Sequence, residues 1–125
     1  TAALASDRAN ASDVAQTVIE SWNGSSWTEV ANLNTPRYYA GGSCSGTNTA
    51  ALYFGGQAPG GVTAVNESWN GSSWTEIVDL SIARAGAGGS GTQALALAFG
   101  GAPPYMNSTE EFTGGSNVTK TITTD

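Results

Sequence analysis

The chain has 125 residues, and its 10 acidic and 4 basic residues give a net charge of -6. So acidic a chain is a poor electrostatic match for nucleic acid or an anionic membrane surface, and we expect neither as a partner. One cysteine and no histidine exclude an intrachain disulfide and a Cys/His metal cluster. No apolar run approaches the roughly 20 residues that span a bilayer, so we expect no membrane insertion.

A ten-residue sequence occurs twice without change. Residues 20–29 and 67–76 both read Glu-Ser-Trp-Asn-Gly-Ser-Ser-Trp-Thr-Glu. Exact recurrence of ten residues at an offset of 47 positions marks a structural repeat. Asn-Gly between strand-forming residues is typical of a hairpin with a type I′ turn, in which both central residues have positive φ. Each copy is therefore predicted to be a hairpin with a tryptophan on each arm.

Short predicted strands follow one another along the whole chain. The letters of residues 1–4 recur at residues 49–52, so the chain is expected to start inside a repeat. Alternation and β-branched or aromatic content predict strands over 14–22, 27–30, 50–54, 64–69, 74–78, 95–99, 108–112 and 118–123. Residues 37–46 and 84–91 are rich in small residues, which is typical of strands where backbones approach closely. Residues 57–61 and 102–107 are predicted to be loops containing proline.

The order of these features repeats along the chain. An arginine is followed by a small-residue strand, an apolar strand ending in Phe-Gly-Gly, a strand ending in an aromatic residue, and a strand beginning with Trp. This order resembles the kelch repeat, the four-stranded blade of a β-propeller. The matching residues are Arg37 and Arg84, Gly55-Gly56 and Gly100-Gly101, Glu67 and Glu110, and Trp27 and Trp74. The sequences Trp-Asn-Gly-Ser-Ser-Trp-Thr-Glu and Ala-Leu-Ala-Phe-Gly-Gly are similar to kelch-like arrays in tail and other virion proteins of aquatic bacteriophages.

The resemblance implies an all-β fold with nearly three kelch-type propeller blades of four antiparallel strands, which together form one propeller segment. Residues 1–36 would be a partial blade of three strands, residues 37–83 a full blade, and residues 84–125 a full blade with a divergent last strand. Propellers have about four to eight blades, so three are too few to close a ring. We therefore expect self-association, neighbouring chains or a longer polypeptide to complete the assembly.

Five side chains are candidates for contact with a ligand or partner: Tyr38, Tyr39, Tyr105, Arg37 and Arg84. The tyrosines break the repeat, which makes them the better candidates. The alternative for the arginines is a repeated ion pair or carbonyl clamp between blades, with Glu20, Glu67 or Glu110 as the partner. The tryptophans have two interpretations, a sugar-stacking surface or packing between blades, and they are Trp22, Trp27, Trp69 and Trp74.

Asparagine in the sequence Asn-x-Ser/Thr occurs more often than the roughly two cases expected from composition, which suggests N-glycosylation. The six positions are Asn10, Asn23, Asn66, Asn70, Asn107 and Asn117. The alternative is that hairpin turns favour Asn-Gly-Ser for conformational reasons and that repetition doubles one occurrence.

No set of catalytic, cofactor-binding or metal-ligating residues stands out. A Ser-His-Asp arrangement is excluded without histidine. Glu110 and Glu111 are neighbours in a predicted strand, so they point to opposite faces and make a poor acid/base pair. We predict a non-enzymatic structural or adhesive module, without a cofactor, in an extracellular or virion-surface assembly. The alternatives are a glycan-binding, lectin-like propeller and a fragment of a propeller enzyme.

Overall fold

The computed structural model describes residues 2–6, 11–12, 14–43, 48–114 and 117–121. Within these residues the regular structure consists of β-strands, without a helix, and the strands form four antiparallel sheets. The predicted all-β class is therefore confirmed. The sheets have three, four, four and two strands, and none of them closes on itself within the described part of the chain.

The first sheet contains three strands, paired in the order β1, β2, β3. Their bounds are β1 (Ala3–Ser6), β2 (Ile19–Trp22) and β3 (Trp27–Val30). Among the described residues β1 pairs with β2 alone, so its other edge is free of backbone partners there.

The second and third sheets contain four strands each. The second has the order β4, β5, β8, β9, with bounds β4 (Gly41–Ser43), β5 (Ala51–Phe54), β8 (Asn66–Trp69) and β9 (Trp74–Ile77). Between β5 and β8 the chain forms a small hairpin of β6 (Gln57–Ala58) and β7 (Gly61–Val62). The third sheet has the order β10, β11, β12, β13, with bounds β10 (Gly88–Gly91), β11 (Ala96–Phe99), β12 (Ser108–Phe112) and β13 (Asn117–Thr121).

The three larger sheets share one register. In each of them a glutamate pairs with a residue of the preceding strand, and the pairs are Ala5 with Glu20, Tyr53 with Glu67, and Ala98 with Glu110. On the far side of these pairs, Gly42 of β4 faces Tyr53 and Gly89 of β10 faces Ala98. β1, β5 and β11 are thus equivalent strands, and the place held by β4 and β10 has no counterpart beside β1 in the described residues.

The hydrophobic core lies between successive sheets. One cluster joins the first sheet to the second and consists of Ile19, Leu33, Ala51, Trp69 and Trp74. The other joins the second sheet to the third and consists of Leu52, Phe54, Leu80, Ala96, Ala98 and Phe112. Because β5 contributes to both clusters, the second sheet is covered on both faces. Packing between sheets, the second interpretation of the tryptophans, is confirmed for Trp69 and Trp74.

Equivalent hydrogen bonds also tie each sheet to the one before it. Asn48 Nδ2 donates to Ser21 Oγ at 2.8 Å, and Gln93 Nε2 donates to Ser68 Oγ at 2.7 Å. Within the second sheet, Trp69 Nε1 of β8 donates to the carbonyl oxygen of Asn48, in the loop between β4 and β5, at 2.9 Å. The loop between the first two strands of each four-stranded sheet therefore reaches back onto the preceding sheet.

The hairpin turns differ from the predicted type I′ form. Four residues separate the paired tryptophans, and the glycine alone has a positive φ, 102° at Gly24 and 96° at Gly71. Asn70 Oδ1 accepts hydrogen bonds from the N–H groups of Ser72 and Ser73, both at 2.9 Å. The same bonds recur in the first hairpin. The asparagine thus acts through its side chain rather than by adopting a left-handed backbone.

Other predicted elements also differ from the structure. The small-residue strands predicted over 37–46 and 84–91 begin only at Gly41 and Gly88, because Tyr38 and Ala85 instead form isolated bridges with Gln57 and Ala102. The strand predicted over 14–22 begins only at Ile19, because the carbonyls of Gln16 and Thr17 accept hydrogen bonds from Arg37 and Leu33 in the segment after β3. These bonds hold residues 14–18 against the next repeat instead of in the sheet. The loop predicted over 57–61 is the β6–β7 hairpin.

Candidate functional site

The Arg37 side chain is fully buried against β5 and β8 of the second sheet. Its Nη2 lies 2.9 Å from Glu67 Oε2, in an ion pair whose two side chains are shielded from solvent. The guanidinium also donates to the carbonyls of Tyr53 (2.9 Å), Gly55 (3.2 Å) and Val65. Burial lowers the pKa of Arg37, and the Glu67 carboxylate opposes that shift.

Arg84 repeats this arrangement in the third sheet. Its Nη2 lies 3.1 Å from Glu110 Oε2, and both side chains are buried. Nη1 donates to the carbonyl oxygens of Gly100 (2.9 Å) and Ser108 (3.0 Å). Gly100 and Ser108 occupy the register positions of Gly55 and Val65, so the same two carbonyls are used in each repeat.

The carboxylate of each glutamate also fixes the segment that enters the sheet. Glu67 Oε1 accepts hydrogen bonds from the N–H and the Nδ2 of Asn34, at 2.7 and 2.9 Å. Glu110 accepts from the N–H groups of Ser81 (2.5 Å) and Ile82 (3.2 Å). We name each set of arginine, glutamate and bonded backbone groups an arginine clamp.

The arginine clamps determine where the two arginines point. Each has its charge paired and its Nη donors bonded to backbone carbonyls and the carboxylate, while its Nε is buried without a hydrogen-bond partner in the described structure. Neither arginine presents its guanidinium to solvent. The predicted clamp interpretation is therefore the one that the geometry supports. The ion pair lies within one sheet, not between neighbouring ones, because arginine and glutamate belong to consecutive segments of the same repeat.

Glu20 is the third member of the glutamate series, and its environment differs. It occupies the register position of Glu67 and Glu110, but it is only half-buried. In the described part of the chain no ion pair or hydrogen bond involves its carboxylate. Within those residues the first sheet therefore has the glutamate of an arginine clamp, Glu20, but no arginine paired with it.

A cavity of about 680 Å³ borders β1, and its lining includes Ala5, the register partner of Glu20, but not Glu20 itself. The free edge of β1 forms one wall, with Leu4, Ala5 and Ser6. Gly42 of β4 and residues 89–91 of β10 also line the cavity. Ser6 Oγ donates to the Tyr53 hydroxyl at 2.9 Å across one end. The volume lies in the range of about 300–1,000 Å³ that is usual for ligand sites.

The inner strands β4 and β10 approach each other through glycine. A Cβ added to Gly89 would collide with the carbonyl oxygen of Gly42 and lie 2.7 Å from the ring of Phe54. A Cβ on Gly42 would meet only the Leu52 carbonyl oxygen, at 3.4 Å, which is an ordinary contact. Gly42 therefore has room for a Cβ on the side that faces β1, whereas its equivalent Gly89 has no such room.

The outer faces of the first and third sheets expose apolar side chains that are buried in the second sheet. Leu97 and Phe99 of β11 are 41% and 42% exposed, whereas their equivalents Leu52 and Phe54 are each 2% exposed. Trp27 is 48% exposed, whereas its equivalent Trp74 is 8% exposed. The differences arise from position, because only the second sheet has a neighbour on each side in the described structure.

The tyrosine candidates lie in loops away from the cavity. Tyr38 and Tyr39 precede β4, and Tyr105 lies between β11 and β12. Tyr105 is 97% exposed, Tyr39 is also exposed, and its ring centroid lies 4.9 Å from that of half-buried Tyr38. None of the three lines the cavity beside β1. They remain candidates for contact with a partner through the loops.

The six sequon asparagines occupy different environments. Asn23, Asn70 and Asn107 are exposed in turns or loops. Asn66 is buried in β8 and its Nδ2 donates to the Val78 carbonyl oxygen at 3.3 Å, so a glycan on that nitrogen would not fit the packed fold. Asn10 lies outside the described residues, and of Asn117 only the backbone is described.

The described residues contain no group of three or more side chains suited to hold a metal ion, and no helix long and apolar enough to span a membrane. Comparison with protein-family models and with curated protein sequences found no match.

Sequence reasoning predicted three strands for the first sheet, but it did not predict the cavity that borders β1, because the lining comes from strands far apart in the sequence. The loop amides Asn48 and Gln93 were also missed, since they occupy loops of different sequence.

Proposed function

We propose that the three larger sheets are successive kelch-like blades, and that the chain is a non-enzymatic structural or adhesive propeller segment of an extracellular or virion-surface assembly. Neighbouring copies or further blades complete it. The blade interpretation draws on the repeated four-stranded order and on the equivalent arginine clamps of the second and third sheets. The virion or extracellular setting draws on the sequence resemblance alone.

One observation carries the proposal: each outer face of the described structure has the chemistry of an internal interface. Leu97 and Phe99 are exposed on the third sheet. The equivalent side chains of the second sheet, Leu52 and Phe54, pack against the third sheet in the core. Trp22 and Trp27 form a pair equivalent to Trp69 and Trp74, which are packed in the cluster that joins the second sheet to the first. Exposed apolar patches of this kind mark association surfaces. Because the two faces differ, contact between them is head-to-tail and leads to a ring or a filament.

The test is native mass spectrometry of the protein from its natural source, together with a Phe99→Asp variant. We expect discrete multiples of the 12.6 kDa chain, or these residues within a heavier polypeptide. Phe99→Asp should shift a multimer to single chains, because it places a carboxylate in the apolar contact. Val78→Asp is the control, since Val78 is 43% exposed, as Phe99 is at 42%, but follows β9 of the second sheet and does not lie on β11.

A single-chain species that stays monodisperse and melts cooperatively at all concentrations would overturn the proposal. A multimer that Phe99→Asp and Val78→Asp leave equally intact would place the association elsewhere on the molecule.

A further inference from the structure

We propose that the free edge of β1 is a binding site for one extended peptide strand of the sequence Arg-x-x-x-Gly-Gly-Ser, and that Glu20 binds the arginine of that strand. The occupant is the inner strand of a further repeat, in the place that β4 and β10 hold in their own sheets. The identity of the occupant rests on the proposed function, but the site rests on contacts within the described residues.

The sequence of the occupant is set by the register. In the segments Arg37–Ser43 and Arg84–Ser90, three residues separate the arginine from the first glycine of β4 or β10. In both sheets the second glycine, Gly42 or Gly89, stands opposite the residue that pairs with the clamp glutamate. In the first sheet that residue is Ala5. The incoming strand therefore places its second glycine opposite Ala5, its first opposite Ser6 and its serine opposite Leu4.

The charge of the site requires a cation. Glu67 and Glu110 each bind one arginine at about 3 Å in a buried clamp, and Glu20 holds the same register position with no cation among the described residues. An arginine four positions before the first glycine would reach Glu20 and the carbonyl of Val18, which is equivalent to Val65 and Ser108. Burial of that pair by the incoming strand would make the attraction far stronger than it is at a surface.

The space beside β1 selects small residues. Gly42 borders the cavity, and a Cβ on Gly42 has no close contact on the β1 side. At Gly89, where an inner strand is already in place on that side, a Cβ would strike the carbonyl of Gly42. By equivalence, the carbonyl of the incoming second glycine would lie against Gly42. Main-chain hydrogen bonds to the β1 edge would supply affinity, as in other cases of strand addition.

The test is binding of a labelled synthetic peptide of residues 82–93, which contains Arg84 and β10, to the whole chain by fluorescence anisotropy. We expect saturable 1:1 binding. Hydrogen exchange in the presence of peptide should show new protection of amides within Ala3–Ser6 and no comparable change in β13, the outer edge of the third sheet. The first readout measures affinity and the second locates the peptide.

Three substitutions test the contacts. Glu20→Gln should weaken binding at least tenfold, and a peptide carrying Arg84→Gln should lose as much, with no further loss when the two are combined. Glu29→Gln is the matched control, because Glu29 is exposed on β3 directly opposite Glu20. Gly42→Ala should weaken binding several-fold while leaving the free chain folded, since its Cβ meets no close contact there.

Absence of saturable binding, or equal binding by Glu20→Gln and wild type, would overturn the inference. So would protection that maps to β13 or to the faces bearing Phe99 and Trp27. These outcomes are separate from the proposed function: chains that assemble through their outer faces but bind no peptide leave the assembly proposal intact. If the peptide binds to chains that never associate, the strand-binding site stands and the assembly proposal fails.

Discussion

At the scale of single residues, the arginine clamps are the most constrained groups of the molecule. Each clamp removes a guanidinium and a carboxylate from water and offsets that cost with an ion pair and several hydrogen bonds to backbone groups. Replacement of a buried ion pair by apolar residues is often neutral, whereas removal of one partner is strongly destabilising. The clamps therefore make the fold sensitive to loss of either member.

The first prediction concerns the clamp of the second sheet. Glu67→Gln should lower the free energy of unfolding by about 3 kcal/mol, because it leaves the buried Arg37 guanidinium without a counter-charge. The measurement is urea unfolding followed by tryptophan fluorescence. Glu76→Gln is the control: Glu76 faces Glu67 across β8 and β9 but is exposed, so its change should stay within about 0.5 kcal/mol. Equal losses in the two variants would contradict the assignment.

Sequence alone indicated an ion pair or carbonyl clamp for the arginines, with Glu20, Glu67 or Glu110 as the partner, but it did not assign each arginine its glutamate or give the backbone donors. Arginine and glutamate recur at matched positions, and this recurrence is visible in a single chain. The backbone donors at Asn34 and Ser81 are invisible in sequence, because any residue except proline supplies an N–H and only the path of the loop brings it to a carboxylate. The half-exposed state of Glu20 depends on the neighbours of its strand and not on its own sequence.

At the scale of elements, the glycines of the inner strands set how closely two sheets approach. β4 and β10 come together where neither strand has room for a side chain between them, as the contacts of Gly41 and Gly89 show. Gly41 lies against the ring of Phe54 and the carbonyl of Ala87. Small residues are thus required here by packing, as their concentration in the sequence predicted.

The second prediction tests this approach. Gly89→Ala should destabilise the chain by about 1–3 kcal/mol, because its Cβ would overlap the Gly42 carbonyl and crowd Phe54. Gly60→Ala serves as the control, since nothing lies within 4 Å of a Cβ at that turn position. Thermal unfolding of the two variants is the measurement. Similar melting temperatures of the two variants would show that β4 and β10 can move apart without loss of stability.

Most strands were predicted to within one or two residues, and the exceptions are residues 14–18, the first four residues of 37–46 and 84–91, and the β6–β7 hairpin. Residues 14–18 alternate like a strand, yet their carbonyls bind Leu33 and Arg37 in the next segment. Local pattern reports which residues favour extended backbone, but it does not report which partner the backbone finds. The same limit explains the β6–β7 hairpin, which lies in a segment whose proline and glycines indicated only a turn.

At the scale of the whole molecule, identical sequences acquire different environments from their place in the order of sheets. The two ten-residue copies fold into the same hairpin with the same tryptophan pairing. In the second sheet the pair is buried against the first, and in the first sheet it is partly open. No property of the repeat itself predicts this difference, since it arises from the neighbour on the outer side.

The third prediction uses the repeat as its own control. Trp74→Ala should cost about 3–5 kcal/mol of stability in a single chain, as expected for loss of a buried aromatic side chain. Trp27→Ala should cost less than about 1 kcal/mol in a single chain, because Trp27 is half exposed. It should instead weaken association between chains. Chemical unfolding at low concentration gives the two stability values, and sedimentation measures the association.

Equal losses of stability from the two tryptophan substitutions at low concentration would mean that the first sheet is already covered in solution. Unchanged sedimentation of Trp27→Ala would remove its face from the association surface.

The unequal exposure of the paired tryptophans also gives the chain a built-in optical signal. An indole in contact with water emits at longer wavelength and is quenched by soluble agents more readily than a buried one. Trp27 therefore contributes the red, quenchable part of the emission, and Trp69 and Trp74 contribute the blue, protected part. Covering the first sheet would shift the red part to the blue, so the growth of an assembly is observable in real time, without a label, from residues that the fold already carries.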